Sequence, residues 1–239
     1  MSRSWQSYRL HTHHWPDQVD LLVSHLQAAD AGARWRFERG AVGVDLWVHA
    51  TNQAGDALRA VGGARPGDRR PPVTDHAGRE AELAATLASL SSELALGLVR
   101  DSELPTTAVV PTAALHLATV LGLLPEPARL PFLFQCWQEW SSPLPPAARV
   151  ALGIRADRYA PSVVDDVALL GGGPWDRYRH AIREQCDIGP DLYLLFDHTL
   201  LTHDRIGIGR PDGALAARAL RALLTTGATL PSAATPAAV

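Results

Sequence analysis

The sequence predicts an α+β fold, in which a small antiparallel sheet from the N-terminal part packs with a mostly helical remainder. Two patterns carry this prediction. In the first 50 residues apolar and polar side chains alternate, as they do in half-buried strands. Beyond residue 75 the apolar residues recur at helical spacing almost to the C-terminus. The chain has 239 residues and is 46% hydrophobic, which is enough for a substantial core.

The N-terminal elements are predicted in the order strand, helix, strand, strand. Residues 5–14 alternate aromatic and polar side chains and are predicted as a strand, and Pro16 begins the helix that follows. Residues 35–39 and 42–49 also alternate, and Gly40 between them indicates a tight hairpin.

The last of these strands has two different faces. Its apolar face is predicted to point to the core and consists of Val42, Val44, Leu46 and Val48. The opposite face consists of Asp45, Trp47 and His49. A tryptophan on such a face suits either a binding groove or a surface covered by the following helices, and both interpretations stay open.

The remainder of the chain is predicted as a Pro/Gly/Arg-rich loop followed by helices. The loop covers 62–75, and the helices are predicted at 76–100, 111–123, 128–140, 145–153, 174–187, 190–204 and 211–225. The segment 225–239 is rich in Thr, Ala, Pro and Ser and is predicted to be a disordered tail. Residues 1–224 are therefore predicted to form a single domain.

Composition excludes several classes of function. All 22 basic residues are arginine, so the lysine that a P-loop or Schiff-base catalysis requires is missing. The net charge of -3 argues against nucleic acid as the main partner. The sequence has no run of 18 apolar residues and no signal-peptide pattern, so we expect a cytoplasmic protein without a membrane partner. Cys136 and Cys186 have no metal-ligand spacing, and we expect neither a metal nor a cofactor.

Two histidine-rich segments are candidates for acid–base chemistry. His11 and His13 share one face if their segment is a strand, where they suit either general acid–base catalysis or a polar strand end. The second segment contains Asp197-His198 and His203-Asp204-Arg205. An Asp-His pair can orient an imidazole, although the same residues near a helix end can act as a cap.

The two ends of the chain resemble the thiopeptide-type bacteriocin biosynthesis domain, which is related to the glutamate-elimination part of class I lantibiotic dehydratases. The first resemblance is the Trp-rich opening, the helix after it and the strand Trp35-Arg36-Phe37-Glu38-Arg39, which is similar to the family's Trp-x-Phe-x-Arg strand. The second is Thr199-Leu200-Leu201-Thr202-His203-Asp204-Arg205-Ile206-Gly207, which resembles Ser-Leu-Leu-His-Met…Asn-Arg-Leu-Gly with a short deletion.

One departure from the family pattern bears on activity. Where elimination enzymes of this family carry arginines in Leu-Arg-Leu-Arg, this sequence has Asp45 and Trp47. An arginine suits a glutamyl carboxylate, whereas an aspartate would repel it. The sequence therefore looks more like the divergent pyridine synthases of thiopeptide pathways, which join two dehydroalanines by a formal [4+2] aza-cycloaddition.

The resemblance implies an enzyme that acts on a modified precursor peptide still carrying its leader. Candidate catalytic residues are His11, His13, Tyr8, Asp197, His198 and His203. Candidate substrate-binding residues are Trp47, Asp45, Arg39, Arg205, Arg69 and Arg70, the last two as leader contacts. Two alternatives remain, a glutamate-eliminating dehydratase component and a noncatalytic leader-binding scaffold. A homodimer is also left open.

Overall fold

The computed structural model describes residues 3–10, 15–40, 43–60, 64–66, 78–99, 104–170, 172–186 and 190–228. Its strands are β1 (Arg3–Leu10), β2 (Arg34–Gly40), β3 (Gly43–Thr51) and β4 (Ala64–Pro66). Its helices are α1 (Trp15–Ala29), α2 (Asn52–Ala60), α3 (Arg79–Val99), α4 (Thr106–Leu121), α5 (Glu126–Ser141), α6 (Pro146–Tyr159), α7 (Val163–Leu169), α8 (Pro174–Gln185), α9 (Leu192–Ile206) and α10 (Arg210–Thr225). The predicted α+β class is confirmed.

The chain divides into two compact units. The sheet unit comprises residues 1–103 together with the short segment Asp204–Gly207, and the helical unit comprises 104–203 and 208–239. The segment Asp204–Gly207 thus belongs with the N-terminal sheet, although it follows a helical stretch of the other unit.

The sheet has four strands in the order β2-β3-β1-β4, and every pairing is antiparallel. β1 pairs with β3 along its whole length, from Arg3 opposite Thr51 to Leu10 opposite Val44. β2 pairs with β3 up to Gly40 opposite Gly43, which confirms the predicted hairpin. This register fixes which side chains share each face of the sheet.

One face of the sheet forms the core of the sheet unit with α1, α2 and α3. Val44, Leu46 and Val48 point into this core, as the alternating pattern predicts, and each is at most 2% exposed. Phe37 on β2 lies opposite Leu46, and its ring centroid is 5.0 Å from that of Trp15 on α1. Burying one such side chain contributes about 1.5–3 kcal/mol.

The core of the helical unit is built around α10, which packs against α4, α5 and α6. Most of its buried positions are small, and these include Gly213, Ala214, Ala216, Ala217 and Ala219. Small side chains let neighbouring helix backbones approach closely, so three helices can pack around one.

Three short elements are absent from the sequence prediction. α2 begins just after Thr51, whose hydroxyl accepts a hydrogen bond from the backbone N–H of Ala54 at 3.4 Å, as an N-cap does. α7 and β4 have only 7 and 3 residues, and segments this short carry too few positions for a periodic pattern. The predicted tail lies outside the described residues from position 229 onward.

α3 is the one helix of the described segments that is long and apolar enough to cross a membrane by length and composition. In the sheet unit it packs against β2 and α1. The hydroxyl of its Ser92 accepts a hydrogen bond from the backbone N–H of Phe37 at 3.2 Å. These contacts are those of a core helix.

Candidate functional site

Two groups of polar side chains are assembled by the fold, one in each unit. The first is the polar–aromatic face of the sheet, which we define as Trp5, Ser7, Arg9, Arg36, Glu38, Asp45, Trp47 and His49. The second is the histidine cluster, which we define as His116, Tyr178, His198 and His203. Each group lies entirely within its own unit.

Asp45 on the polar–aromatic face is held by an arginine. Arg9, its partner across the β1–β3 pairing, donates from Nε to Oδ1 at 2.8 Å and from Nη2 to Oδ2 at 3.0 Å. This two-point contact raises the pKa of the Arg9 guanidinium, first through the hydrogen bond and then through the charge of Asp45. Glu38 lies opposite Asp45 on β2, so two carboxylates are neighbours on this face.

Trp47 lies next to a guanidinium rather than in an open groove. The Cζ atom of Arg36 is 5.8 Å from the ring centroid of Trp47 and 5.2 Å from that of Trp5. Burial lowers the pKa of Arg36 from its usual value, and the charge of Glu38 partly opposes this effect. Trp47 is 1% exposed and Asp45 is 8% exposed, so both faces of β3 are buried at this point.

Three buried rings of the histidine cluster form a hydrogen-bonded chain, and the fourth packs beside it. Nε2 of His116 lies 2.9 Å from the Tyr178 hydroxyl, and that hydroxyl lies 2.6 Å from Nε2 of His198. The ring of His203 lies 5.3 Å from the ring of His116. All four side chains are at most 4% exposed.

The direction of this chain follows from its buried nitrogen atoms. Nδ1 of His116 has no hydrogen-bond partner among the described residues, and a buried N–H without an acceptor is rare. We therefore assign the proton of neutral His116 to Nε2, which donates to the Tyr178 oxygen. The Tyr178 hydroxyl then donates its own proton to Nε2 of His198, which accepts it.

His203 fits tightly between α5 and α10. Its ring lies 5.3 Å from that of Trp140, and a Cβ atom at position 213 would stand 2.9 Å from Nδ1 of His203. The same Cβ atom would stand 3.1 Å from the Trp140 ring. Only glycine fits at position 213 without moving one of these rings.

Burial keeps two of these histidines neutral. It lowers the pKa of His203 to about 3. The pKa of His116 lies well below its usual value, first because of burial and then because of the neighbouring His203 and His198. These two rings are thus neutral donors and acceptors at neutral pH.

These shifts predict a pH-dependent stability. In the unfolded chain a histidine binds a proton below about pH 6.5, whereas buried His203 does not, so the unfolded state gains protons as the pH falls. The contribution of His203 to the free energy of unfolding should therefore fall by about 2 kcal/mol between pH 7 and pH 5, and that of His116 should fall in the same direction. Urea denaturation of the wild-type chain and of His203→Asn at both pH values measures the difference.

Between pH 7 and pH 5 the free energy of unfolding of His203→Asn should fall by about 2 kcal/mol less than that of the wild type, because one buried histidine has been removed. His180→Asn is the matched control, since the His180 side chain is 77% exposed and pairs with Glu184 in the neighbouring turn. An unchanged pH dependence in His203→Asn would contradict the neutral state assigned to His203.

Of the other site residues predicted from the sequence, one is buried in the sheet unit, two are exposed and four lie outside the described residues. Tyr8 is buried on the core face of the sheet, where its hydroxyl lies 3.1 Å from the carbonyl oxygen of Gly55, so it does not share a face with Asp45. Asp197 and Arg39 are exposed, and Arg39 donates to the carbonyl oxygen of Ile206 at 3.4 Å. Outside the described residues lie His11, His13, Arg69 and Arg70.

Arg205 holds the sheet unit together. It is 1% exposed, and its Nε donates to the carbonyl oxygen of Phe37 at 2.8 Å. Its Nη1 donates to the hydroxyl of Ser91 on α3, also at 2.8 Å. These contacts give the residue a structural role, which is why Asp204–Gly207 belongs to the sheet unit.

Sequence reasoning missed two members of the histidine cluster. His116 interrupts the apolar run Ala113-Ala114-Leu115-His116-Leu117, and a lone polar residue within such a run is a signal of a buried polar contact. Tyr178 carries no such signal, because a tyrosine at helical spacing is typical of an ordinary core.

Comparison with known proteins identifies the fold. The chain matches no protein-family description and no curated protein sequence. It is similar in structure to the tRNA-dependent lantibiotic dehydratase MibB from Microbispora sp. 107891, with a TM-score of 0.57, 18% identity and 93% of this chain covered. The chain spans 28% of the length of that dehydratase.

The chain is also similar to a second solved structure, and this match extends over almost the whole length of both chains. This is TbtD, the pyridine synthase from thiomuracin biosynthesis, with a TM-score of 0.55 and 16% identity. The match covers 93% of this chain and 99% of TbtD. The resemblance inferred from the sequence motifs is thus confirmed at the level of the fold.

Proposed function

We propose that this chain, which shares its fold with a lantibiotic dehydratase and a thiopeptide pyridine synthase, is an enzyme that modifies ribosomally made peptides. More specifically, we propose that it joins two dehydroalanines of a leader-bearing peptide by a formal [4+2] aza-cycloaddition. Loss of water and of the leader then leaves a pyridine. The Asp45–Arg9 pair is the observation that favours this activity over glutamate elimination.

The pair matters because of where it lies. Asp45 stands at a position where the elimination enzymes that this sequence resembles carry an arginine. Arg9 is the cation beside it, and both carboxylate oxygens of Asp45 already accept its hydrogen bonds. Glu38 lies opposite Asp45, so at this position a glutamyl carboxylate would be placed beside carboxylates, which repel it, where the elimination enzymes offer it an arginine. An uncharged dehydroalanine substrate meets no such repulsion.

The proposed reaction needs no external oxidant or reductant. One dehydroalanine reacts as the iminol form of its amide, and two C–C bonds form between it and the alkene of the other dehydroalanine. The former amide oxygen then leaves as water. The C–N bond to the leader-bearing nitrogen breaks last, the leader leaves as a carboxamide, and the ring becomes aromatic.

The histidine cluster supplies the proton transfers that these steps require. Tautomerisation of the amide and departure of the hydroxyl each need a proton moved between neutral groups. We assign this exchange to His198, with Tyr178 and His116 setting its protonation. Holding both alkenes close together contributes further, since proximity can lower such a barrier by about 7–11 kcal/mol. His11 and His13 remain candidate acid–base groups, and Arg69 and Arg70 remain candidate leader contacts.

Mass spectrometry tests the proposal directly. The purified chain is mixed with an azole-containing peptide that carries a leader and two dehydroalanines. We expect a product lighter by one water and the complete leader, with the leader appearing as its carboxamide. The matched control peptide has alanine in place of one dehydroalanine and should remain unchanged, because no second alkene is available.

The alternatives give different results in the same assay. A glutamate-eliminating component would leave the bis-dehydroalanine peptide intact and convert a glutamylated Ser or Thr to an alkene. A leader-binding scaffold would bind the peptide and change neither substrate. Either result would overturn the cycloaddition proposal.

A further inference from the structure

The helical unit contains a cavity whose lining includes no residue of the histidine cluster. Its volume is about 430 Å³, within the usual range for a bound small ligand or a side chain with its backbone. α4, α6, the start of α7 and α10 all contribute to its lining. The apolar part of the lining includes Val110, Pro111 and Leu215.

The cavity has an excess of positive charge. Arg155 and Arg158 both line it, and their spacing along α6 places them on one side of that helix. Neither guanidinium has a hydrogen bond or an ion pair within the described part of the chain. Asp166 is the one acidic residue among the described residues of the lining, so the two arginines exceed the acids by one charge.

Of the two acids in this region, one is paired outside the cavity and the other belongs to its lining. Asp157, between the two arginines in sequence, forms a two-point contact with Arg218 on α10, at 2.9 Å and 2.8 Å. Asp166 lies beside Tyr159, where burial first and the Asp166 carboxylate second raise the pKa of the phenol. Among the described residues neither acid forms an ion pair with Arg155 or Arg158, so both arginines remain available to an anion from outside.

One residue of the lining has a backbone carbonyl without its usual helical donor. Pro111 is inside α4 and has no N–H, so it cannot donate the usual helical hydrogen bond to the carbonyl oxygen of Thr107. Thr107 itself lines the cavity. The lining thus supplies two cationic donors and apolar side chains, and one of its residues has a carbonyl oxygen that lacks its helical donor.

We propose that this cavity binds an acidic segment of a peptide, with a carboxylate on Arg155 and Arg158 and a backbone N–H of the ligand on the Thr107 carbonyl. A peptide fits better than a simple anion, because an anion would leave the carbonyl and the apolar side chains unused. This assignment rests on the proposed function: the acidic segment belongs to the peptide substrate, and the cavity anchors it through residues other than those of the histidine cluster.

Binding is tested with the full chain and two fluorescent, blocked decapeptides. One carries two glutamates separated by apolar residues, and the other has glutamine at both positions. Fluorescence anisotropy should give a dissociation constant at least about tenfold lower for the glutamate peptide, as expected when charge-assisted hydrogen bonds are replaced by neutral ones. Equal binding of both peptides, or binding of neither, would overturn the proposal.

Variants locate the binding. Arg155→Gln/Arg158→Gln should weaken binding of the glutamate peptide at least about tenfold. The matched control is Arg177→Gln/Arg183→Gln, which removes the same charge from two exposed arginines of α8. An equal loss of affinity in both variants would mean that only the net charge of the protein matters. That result would contradict a specific binding site at the cavity. Thr107→Trp fills the cavity without changing charge and should also weaken binding.

A competition arm separates a peptide site from an anion site. Acetate at about 20 mM should displace little of the glutamate peptide, because it makes only the carboxylate contact. Complete displacement would mean that the cavity recognises a carboxylate alone, which would overturn the peptide assignment. Because anisotropy needs no turnover, a failure of the cavity and a failure of the cycloaddition proposal give separate results.

Discussion

Tyr178→Phe should lower the turnover number for the bis-dehydroalanine peptide by about 100-fold while changing the Michaelis constant little. The Tyr178 hydroxyl joins Nε2 of His116 to Nε2 of His198, at 2.9 Å and 2.6 Å. Without it, the hydrogen-bonded path between the two rings is broken, and His198 loses the donor that sets its protonation. Turnover is measured by mass spectrometry of the released leader.

The control for this variant is Tyr193→Phe. Tyr193 makes the same chemical change possible on α9, but its side chain is 70% exposed and lies outside the cluster. It should retain wild-type turnover. In Tyr178→Phe the phenyl ring preserves the packing against Trp175, and near-ultraviolet circular dichroism checks this. Wild-type turnover in a folded Tyr178→Phe variant would remove the hydrogen-bonded chain from the mechanism.

A shifted pH profile would identify what Tyr178 does. If the hydroxyl sets the protonation of His198, the pH dependence of the turnover number should move in Tyr178→Phe. If Tyr178 has only a structural role, Tyr178→Phe should lower the free energy of unfolding by about 1–3 kcal/mol, because two buried histidine nitrogens lose their hydrogen-bond partner. The pH dependence of the turnover number should then stay unchanged.

Arg205→Met should destabilise the chain by about 3–5 kcal/mol. The substitution removes two hydrogen bonds from a buried cation, and it leaves the carbonyl oxygen of Phe37 and the hydroxyl of Ser91 without this donor. Buried groups without partners cost more than the average hydrogen bond contributes. The free energy of unfolding from urea denaturation at pH 7 measures the loss.

Two comparisons make the Arg205 prediction specific. Arg210→Met removes an exposed arginine shortly after the sheet segment and should change the free energy of unfolding by less than about 0.5 kcal/mol. Arg205→Lys keeps the charge but cannot donate in two fixed directions. Its loss in the free energy of unfolding should therefore lie between those of Arg205→Met and Arg210→Met. A loss below about 1 kcal/mol in Arg205→Met would contradict the structural role.

The alternating strands and periodic helices were predictable because each pattern is local. Val44, Leu46 and Val48 are buried on one face, as their spacing indicates, and the hairpin lies at Gly40, as predicted. The same local argument could not show that Trp47 and Asp45 are buried too. Alternation tells which residues share a face, but not what covers that face.

For a related reason, the sequence analysis identified only two of the four members of the histidine cluster. His198 and His203 are five residues apart in one predicted helix, so the sequence shows them as one histidine-rich segment, although that spacing does not place them on one helix face. His116 and Tyr178 come from α4 and α8, and their sequence separations from His198 are 82 and 20 residues, by subtraction of the residue numbers. No helical or strand period connects residues so far apart.

By itself the sequence determined the α+β class, the order of the main elements and the family resemblance, because these depend on periodicity and short motifs. Only the tertiary structure decided which polar groups meet. It placed Arg9 on Asp45, Tyr178 between two histidines and Arg205 on the backbone of β2. These contacts depend on burial and on distance between separate elements, since a buried polar group must find its partner wherever packing brings one.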